Sequence, residues 1–372
     1  VLSDILAVLG NPVFAGDPSI SILGVSHDSR KIQPGWAFAA IPGEVYDGHD
    51  FIDKAVQQGA SLVIAEREPR ADRREVSWIT VPNTRKALGP AASVIYGKPT
   101  AQLRLVGITG TNGKTTLAFL LEAIVRAAGG NPGVIGTITH RWGGKEHVAG
   151  NTTPEASDLQ RFFREMVDAG VSHAFIEASS HGLHQGRLDA CQFDVGVFTN
   201  LTQDHLDFHR SMEEYFRAKR ILFDRMLPES GKAHSCAVVN LDDPFGQRLA
   251  EEMVNIPVIG FGTSEGCAVR PDRMDLSAEG IEGTIQTPSG RLSVRSRLTG
   301  SFNLLNILAA IAVAEQLGLP QRAIAQGIEG VVSVPGRLER VEGQGATVFV
   351  DYAHTPHALQ NVLRALQHIR TG

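Results

Sequence analysis

Gly110-Thr111-Asn112-Gly113-Lys114-Thr115-Thr116 is the stretch whose reading decides this chain. It follows an apolar, β-prone run, Leu103-Arg104-Leu105-Val106-Gly107-Ile108-Thr109, and it opens an amphipathic, helix-prone run over residues 117–128 that stops at Gly129-Gly130. A strand, a glycine turn, Lys-Thr and a helix, in that order, are what a phosphate cradle needs. Glycines let backbone N–H groups converge on phosphate oxygens, the helix N-terminus adds positive potential, Lys114 supplies a point charge and a hydroxyl can reach Mg²⁺. One position departs from the usual P-loop spacing. Six residues before the lysine stands Ile108 rather than glycine, and the nearest glycines are Gly107 and Gly110. The stretch is a P-loop variant.

Downstream of it the chain keeps a β-α rhythm. Strands are predicted at Ala174-Phe175-Ile176, Val195-Gly196-Val197-Phe198 and Ala237-Val238-Val239, and helices over residues 155–169, 212–226 and 302–317. Ser211 with Glu214 three residues on forms a capping-box pattern for the second of these helices. Alternating strands and helices imply an α/β fold with a mostly parallel sheet covered on both faces. Residues 269–298, alternating and punctuated by glycine, predict a β-hairpin insertion.

Upstream, Trp36-Ala37-Phe38-Ala39-Ala40-Ile41 and Ser61-Leu62-Val63-Ile64-Ala65 read as strands flanking a helix over residues 50–58, a small α/β unit that leaves through Gly97-Lys98-Pro99-Thr100. Beyond Pro335-Gly336 come a strand, Ala346-Thr347-Val348-Phe349-Val350, and a helix over residues 356–369. One β-α unit cannot bury both faces of its sheet, so the expectation here is the start of a third domain, Rossmann-like and truncated. The expected division is residues 1–98, 99–335 and 336–372, and Val1 in place of Met suggests that residues precede it.

The 372 residues suit two to three domains, and 42% hydrophobic with 20% charged residues is globular composition. A net charge of −5 without a basic stripe argues against a nucleic-acid partner. The three cysteines, Cys191, Cys236 and Cys267, form no CxxC pair, which favours reduced thiols over a disulfide or a structural zinc site. With no basic n-region at the start and no apolar run approaching 18 residues, the expectation is a cytoplasmic monomer without membrane insertion.

Several segments carry candidate chemistry. Glu177-Ala178-Ser179-Ser180-His181 ends a strand, where Glu177 either holds a metal near the phosphates or caps the next helix. Thr199-Asn200-Leu201-Thr202-Gln203-Asp204-His205-Leu206-Asp207-Phe208-His209 follows another strand, and its density of Asp and His suits a hard cation such as Mg²⁺ or Mn²⁺ better than zinc. Lys219 lies on the 212–226 helix, where spacing alone leaves it a solvated lysine. Asn303 and Asn306 share a helix face, and amides there either read an adenine edge or cap. Gly336-Arg337-Leu338-Glu339 and Asp351-Tyr352-Ala353-His354 flank the last boundary, where Arg337 is either a phosphate ligand, as an arginine finger is, or a surface residue.

Taken in order, these segments together with Asp28-Ser29-Arg30 and Asn151-Thr152-Thr153-Pro154 resemble the Mur ligases of peptidoglycan synthesis over nearly the whole chain. The pattern is most similar to the member that adds the third residue of the peptide, meso-diaminopimelate or L-lysine, to UDP-MurNAc-L-Ala-D-Glu. Asp28-Ser29-Arg30 argues against a cyanophycin-synthetase-like ligase, and Asn151-Thr152-Thr153 with Asp351-Tyr352-Ala353-His354 against the member that adds the fourth residue. A module that binds nucleotide without turnover is the alternative from another class.

The resemblance implies an ATP-dependent ligase working through an acyl phosphate, with roles residue by residue. Gly110, Thr111, Asn112, Gly113, Lys114, Thr115 and Thr116 would bind the ATP phosphates, Lys114 on the β/γ oxygens. Thr115, Glu177, His205 and Lys219 would surround Mg²⁺, with Lys219 carbamylated by CO₂. Asn303 and Asn306 would face adenine, Arg337 the γ-phosphate and Asp351 the ribose. Lys114, Lys219, His205 and Arg337 are the expected catalytic set. Ser29, Glu44, Val45 and Tyr46, with His27 beside them, would hold the uridine diphosphate end of the second substrate. Asn151, Thr152, Thr153, Ser179, Gln185 and Arg187 would hold its muramoyl-peptide end. The family's third domain recognises the incoming amino acid, so the resemblance also implies that the chain ending at Gly372 binds nucleotide poorly and does not ligate by itself.

Overall fold

The computed structural model describes residues 2–43, 45–69, 76–341 and 348–368, which leaves Glu44, Ala346 and Thr347 of the sequence expectations outside the described residues. The chain forms two compact units. The first comprises Val1–Gln102, Pro154–Asp168 and His184–Cys191, and the second Leu103–Thr153, Ala169–Leu183 and Gln192–Gly372.

In the first unit five strands lie in the order Val13–Ala15, Ser77–Thr80, Leu62–Ala65, Trp36–Ala39, Gly24–Ser26, all parallel except the first. The two-residue period of a strand sorts its side chains between two cores. Ala37, Ala39, Leu62 and Ile64 face a cluster with Ala87, Leu88 and Ala91 of the helix Thr84–Ile95. Phe38 and Val63 face the opposite cluster with Ile52 and Ala55 of the helix Ile52–Gln57. Burial on both faces is why these strands read as continuous apolar runs. The helix Ala156–Asp168 packs on Thr84–Ile95 and belongs to this unit.

The second unit is built on an eight-stranded sheet. Its parallel part runs Val258–Phe261, Cys236–Asn240, Val195–Phe198, Arg104–Thr109, His173–Glu177, Pro132–Ile135, and the antiparallel strands Thr139–Trp142 and Lys145–Val148 extend one edge. The helix Lys114–Ala127 packs against Ser301–Gln316 and Gln321–Gly330. Ser301–Gln316 is apolar on nearly every side from Leu304 to Ala314, Asn306 being the polar exception, and is correspondingly buried.

Some local expectations need correction. The helix after the glycine loop begins at Lys114 rather than residue 117, because Gly113 in the left-handed region (φ +89°) serves as its N-cap. The 212–226 helix is α-helical over Met212–Ile221 and then π-helical over Leu222–Met226, with Ser211 capping the Glu214 amide at 3.1 Å. The 269–298 insertion is a three-stranded antiparallel sheet, Arg270–Leu276, Ile281–Thr287 and Gly290–Ser296, rather than a hairpin. Pro271 and a bulge between it and Arg273 interrupt the alternation of the first strand, which hid it. Ile281, Ile285, Leu292 and Val294 turn inward from this sheet and join the core around Ser301–Gln316.

Because Arg104–Thr109, His173–Glu177 and Val195–Phe198 are parallel neighbours, their C-terminal ends fall together. The glycine loop, Ala178-Ser179 and the segment from Thr199 therefore converge at one edge of the sheet, the place where open α/β sheets bind ligands.

Candidate active site

Ile108 explains the irregular spacing of the loop. It is fully buried and pairs with Glu177 on one side and Val197 on the other, so the strand continues through Thr109 and the turn starts only at Gly110. At Gly110 φ is +140°, and a Cβ would collide with Thr199 Oγ1; one at Gly113 would collide with Asn306 Oδ1. Glycine is required at both places by neighbours as well as by conformation.

The loop is held open by the segment opposite. Thr111 N–H donates to Asn200 O at 2.9 Å and Asn112 N–H to Asn200 Oδ1 at 2.9 Å, while Thr199 Oγ1 donates to Asn112 O at 2.6 Å. Thr202 N–H donates to Thr111 Oγ1 at 3.0 Å, and Tyr215 Oη lies 3.2 Å from that same oxygen.

Two lysine amines meet at the loop. Lys114 Nζ donates to Gly110 O at 2.8 Å and Thr111 O at 2.9 Å, and Lys219 Nζ donates to Gly110 O at 2.9 Å. Lys219 is 1% exposed, with its amine 4.4 Å from the centre of the Tyr215 ring. Burial first, and then the neighbouring Lys114, push the Lys219 amine well below the ordinary lysine value, with Asp204 opposing. Burial also lowers Lys114, against the pull of Glu177.

Glu177 is buried at the end of its strand and ringed by donors. It accepts from Thr115 Oγ1 at 3.2 Å, from Thr137 N–H at 3.0 Å and from Thr137 Oγ1 at 2.9 Å. Thr153 Oγ1 donates to the Glu177 carbonyl at 2.7 Å and lies 2.9 Å from Ser179 Oγ. Thr152 Oγ1 lies 3.0 Å from Thr137 Oγ1, and Asn151 is exposed.

His205 has φ +52° and sits in a ring cluster, 5.0 Å from His181 and 6.0 Å from Tyr215 between centroids. Burial lowers its pKa, Asp204 opposes, and Lys219 and Lys114 add to the lowering. Among the described residues no three His, Cys, Asp or Glu side chains group as a metal centre. Thr115, Glu177, His205 and Lys219 are instead a mixed set: Lys114 interacts electrostatically with the last three, and Thr115 is hydrogen-bonded to Glu177.

Beside the loop an open cavity of about 110 Å³ is lined by Asn112, Gly113, Thr116, Phe302, Asn306, Ala309, Arg337 and Asp351 among others. Phe302 and Ala309 make part of the wall apolar, as a flat ring system needs. Arg337 Nη2 lies 3.4 Å from Thr115 Oγ1, with its guanidinium 5.4 Å from the Tyr352 ring centre. Asp351 accepts from Leu338 N–H and Ala353 N–H, both at 2.7 Å. Asn306 reaches the wall, whereas Asn303 commits its amide to Thr299 O at 2.8 Å and its carbonyl oxygen to Asn306 at 3.1 Å.

In the first unit Ser29 is buried and opens a short 3₁₀ turn capped by Asp28, whose carboxylate also binds Arg30 at 2.7 Å. The side-chain hydrogen bond from Arg30 holds Asp28 down at about 2, against the opposing effect of burial. His27, Asp28, Ser29, Tyr46, Phe51 and Lys54 line a second cavity; Tyr46 is 72% exposed there and its chain neighbour Val45 81%. Arg187 Nε pairs with Glu155 at 3.0 Å, and Arg85 approaches the same carboxylate at 3.4 Å. Gln185 Oε1 is buried without a hydrogen-bond partner.

Sequence reasoning missed Thr137, Tyr215 and Glu155 as members of these clusters and took Asn200 only as part of the 199–209 segment. Thr137 follows a strand end, Pro132–Ile135, and that position was the only local signal it offered.

Residues 108–314 match the Mur ligase middle domain, residues 21–96 the Mur ligase family catalytic domain and residues 336–372 the Mur ligase glutamate ligase domain. The UDP-N-acetylmuramoyl-L-alanyl-D-glutamate--2,6-diaminopimelate ligase of Geobacter metallireducens is 47% identical over 373 residues, covering 100% of this chain and 73% of the relative. The enzyme of the same name from Geobacillus thermodenitrificans is 42% identical over 354 residues, covering 95% and 71%. A solved structure of a UDP-N-acetylmuramoyl-L-alanyl-D-glutamate--2,6-diaminopimelate ligase superposes with a TM-score of 0.81 at 29% identity, over 99% of this chain and 75% of that one. The ADP complex of MurF ligase from Thermotoga maritima shares the fold, with a TM-score of 0.66 at 22% identity over 94% and 76%.

Proposed function

The chain belongs to the Mur ligase family, and from that premise we propose that it joins 2,6-diaminopimelate to UDP-N-acetylmuramoyl-L-alanyl-D-glutamate with hydrolysis of ATP to ADP and phosphate. The observation that carries this reading is the meeting of Lys114 and Lys219 at the Gly110 carbonyl, in a glycine loop whose Thr115 lies within hydrogen-bond reach of both Glu177 and Arg337. Positive charge and hard oxygen donors share one place, which is what a transferring phosphoryl group requires.

A carboxylate is a poor acceptor for an amine and has to be activated. In the reaction proposed, the terminal carboxylate of the D-glutamyl residue attacks the γ-phosphorus of ATP and displaces ADP. The amine of the diamino acid then attacks the acyl carbon, and phosphate leaves. No covalent bond to the protein forms. The first step brings two anions together, so its barrier falls with the positive charge gathered around them. Lys114 moves from the loop carbonyls to the β/γ oxygens, and Arg337 supplies charge from the side of Thr115. The cavity wall at Phe302, Asn306 and Ala309 takes the base, and Asp351 the ribose. In the first unit the cavity at Ser29 and Tyr46, with Val45 next to it in the chain, takes the uridine diphosphate end, and Gln185 and Arg187 contribute to the muramoyl-peptide end. In the second unit Asn151, Thr152, Thr153 and Ser179 contribute to that end.

The donor set fits Mg²⁺. Thr115 Oγ1 and Glu177 Oε2, 3.2 Å apart at the start of a helix, are hard oxygens beside the phosphate position. Thr115, Glu177, His205 and a carbamate on Lys219 would hold it, and the ion supplies charge neutralisation of the phosphate oxygens. Lys219 is suited to carry a carbamate because burial shifts its amine toward the neutral form, the form that adds CO₂.

The test incubates the intact gene product with ATP, Mg²⁺ and UDP-MurNAc-L-Ala-D-Glu plus either diaminopimelate or L-lysine, and identifies products by mass. The diaminopimelate adduct with one ADP per amide is the expected result. ADP release without an adduct, or equal use of lysine, contradicts it.

A further inference from the structure

Thr137 carries no role assigned above, yet among the described residues it makes two of the three hydrogen bonds that the Glu177 side chain receives. Its backbone N–H and its hydroxyl reach the two oxygens of that carboxylate separately, at 3.0 Å to Oε1 and 2.9 Å to Oε2. The residue before it makes this approach possible, since a Cβ on Gly136 would collide with Glu177 Oε1. Gly136-Thr137 thus forms a cradle shaped to the carboxylate.

The same hydroxyl lies 3.0 Å from Thr152 Oγ1. A threonine hydroxyl has one hydrogen to give, and a carboxylate only accepts. Thr137 therefore spends its hydrogen on Glu177, and its lone pairs are left to receive the hydrogen of Thr152. The result is a directed chain from the Thr152 hydroxyl through the Thr137 hydroxyl to Glu177. Thr115 Oγ1 adds the third donor at 3.2 Å, also on Oε2, and it is the donor proposed above to hold the cation beside the phosphates.

We propose that Thr137 is a positioning residue: it fixes the Glu177 carboxylate for the divalent cation and links its orientation to the muramoyl-peptide subsite through Thr152. This rests on the proposed roles of Glu177 at the cation and Thr152 at the substrate. Outer-shell donors of this kind orient metal ligands, and their loss typically lowers metal affinity about 10–100-fold. By reciprocity of linked equilibria, a substrate that engages Thr152 tightens the cation, and the cation tightens the substrate by the same factor.

The experiment titrates Mn²⁺ into the protein with ADP present, follows free Mn²⁺ by its EPR signal, and repeats the titration with saturating UDP-MurNAc-L-Ala-D-Glu. Wild type is compared with T137V, T137S and E177Q, with thermal melts of each. The expected results are Mn²⁺ binding weakened about 10–100-fold in T137V, wild-type binding in T137S, and a still larger loss in E177Q. Added substrate tightens Mn²⁺ in wild type and T137S but not in T137V. If E177Q binds Mn²⁺ as wild type does, the assignment of Glu177 is wrong and the proposal falls with it. If E177Q loses Mn²⁺ while T137V does not, the cation assignment stands and the role of Thr137 is refuted. Equal losses in T137V and T137S, or a melt lowered as much as binding, point to packing and refute the hydroxyl chain. Substrate that leaves wild-type Mn²⁺ affinity unchanged refutes the link to Thr152.

Discussion

The glycine loop of the second unit and the Ser29–Tyr46 cavity of the first recognise their ligands by opposite means. The loop works through backbone. Its glycines are obligatory, its amides and carbonyls are tied to Thr199 and Asn200, Thr202 holds the Thr111 hydroxyl, and the buried Lys219 is pinned to Gly110 O. The cavity of the first unit works through side chains at a rim, with Tyr46 and its chain neighbour Val45 largely in solvent. A site built from main chain constrains residue types tightly, whereas a side-chain rim constrains them weakly. Substitutions in the loop should therefore cost much and those at the rim little.

The largest effect is expected at Lys219. Replacing it with Met should lower turnover by about 10²–10³-fold while raising stability by about 1–2 kcal/mol, because a buried amine with one hydrogen bond gives way to apolar packing. The sign follows from its depressed folded-state pKa: the unfolded chain binds the proton that the native state sheds, so stability rises with pH across that window. The stability gap between Lys219→Met and wild type should narrow as pH rises toward the ordinary lysine value, as measured by urea unfolding. A variant that is both active and no more stable would break the comparison.

Gly110→Ala comes next. Collision with Thr199 and the positive φ should cost about 3 kcal/mol and weaken ATP binding with it. Calorimetric unfolding and nucleotide titration measure the two together. At the rim, Tyr46→Ala should raise the KM for the nucleotide-sugar dipeptide by roughly fivefold, about 1 kcal/mol, and leave the KM for ATP unchanged. A larger effect at Tyr46 than at Gly110 would reverse the comparison.

The same contrast decides how much was legible in the sequence. The loop could be read because glycine, lysine and threonine at fixed spacing have a backbone reason to be there. Ser211 and Glu214 could be read because a cap is local, and the strands 195–198 and 236–240 because period and length agree. What escaped was contact between residues far apart in sequence. Thr137 meets Glu177 across 40 positions, and Tyr215 meets Thr111 across 104. Nothing near residues 154–168 and 184–191 announced that they pack with the first unit. The adenine expectation at Asn303 and Asn306 rested on a shared helix face and on the family resemblance, and neither says that Asn303 commits its amide to Thr299 while Asn306 reaches the cavity.

The central claim is that a substrate carboxylate is activated by phosphoryl transfer in the site around Lys114, Glu177 and Arg337. The most direct test places ¹⁸O in the terminal carboxylate of the D-glutamyl residue and runs a full turnover with ATP, Mg²⁺ and diaminopimelate. Mass analysis of the released phosphate should find one ¹⁸O from the substrate in each phosphate formed, because the oxygen that attacks the γ-phosphorus leaves with it. Phosphate free of the label, with amide formed, would contradict the account.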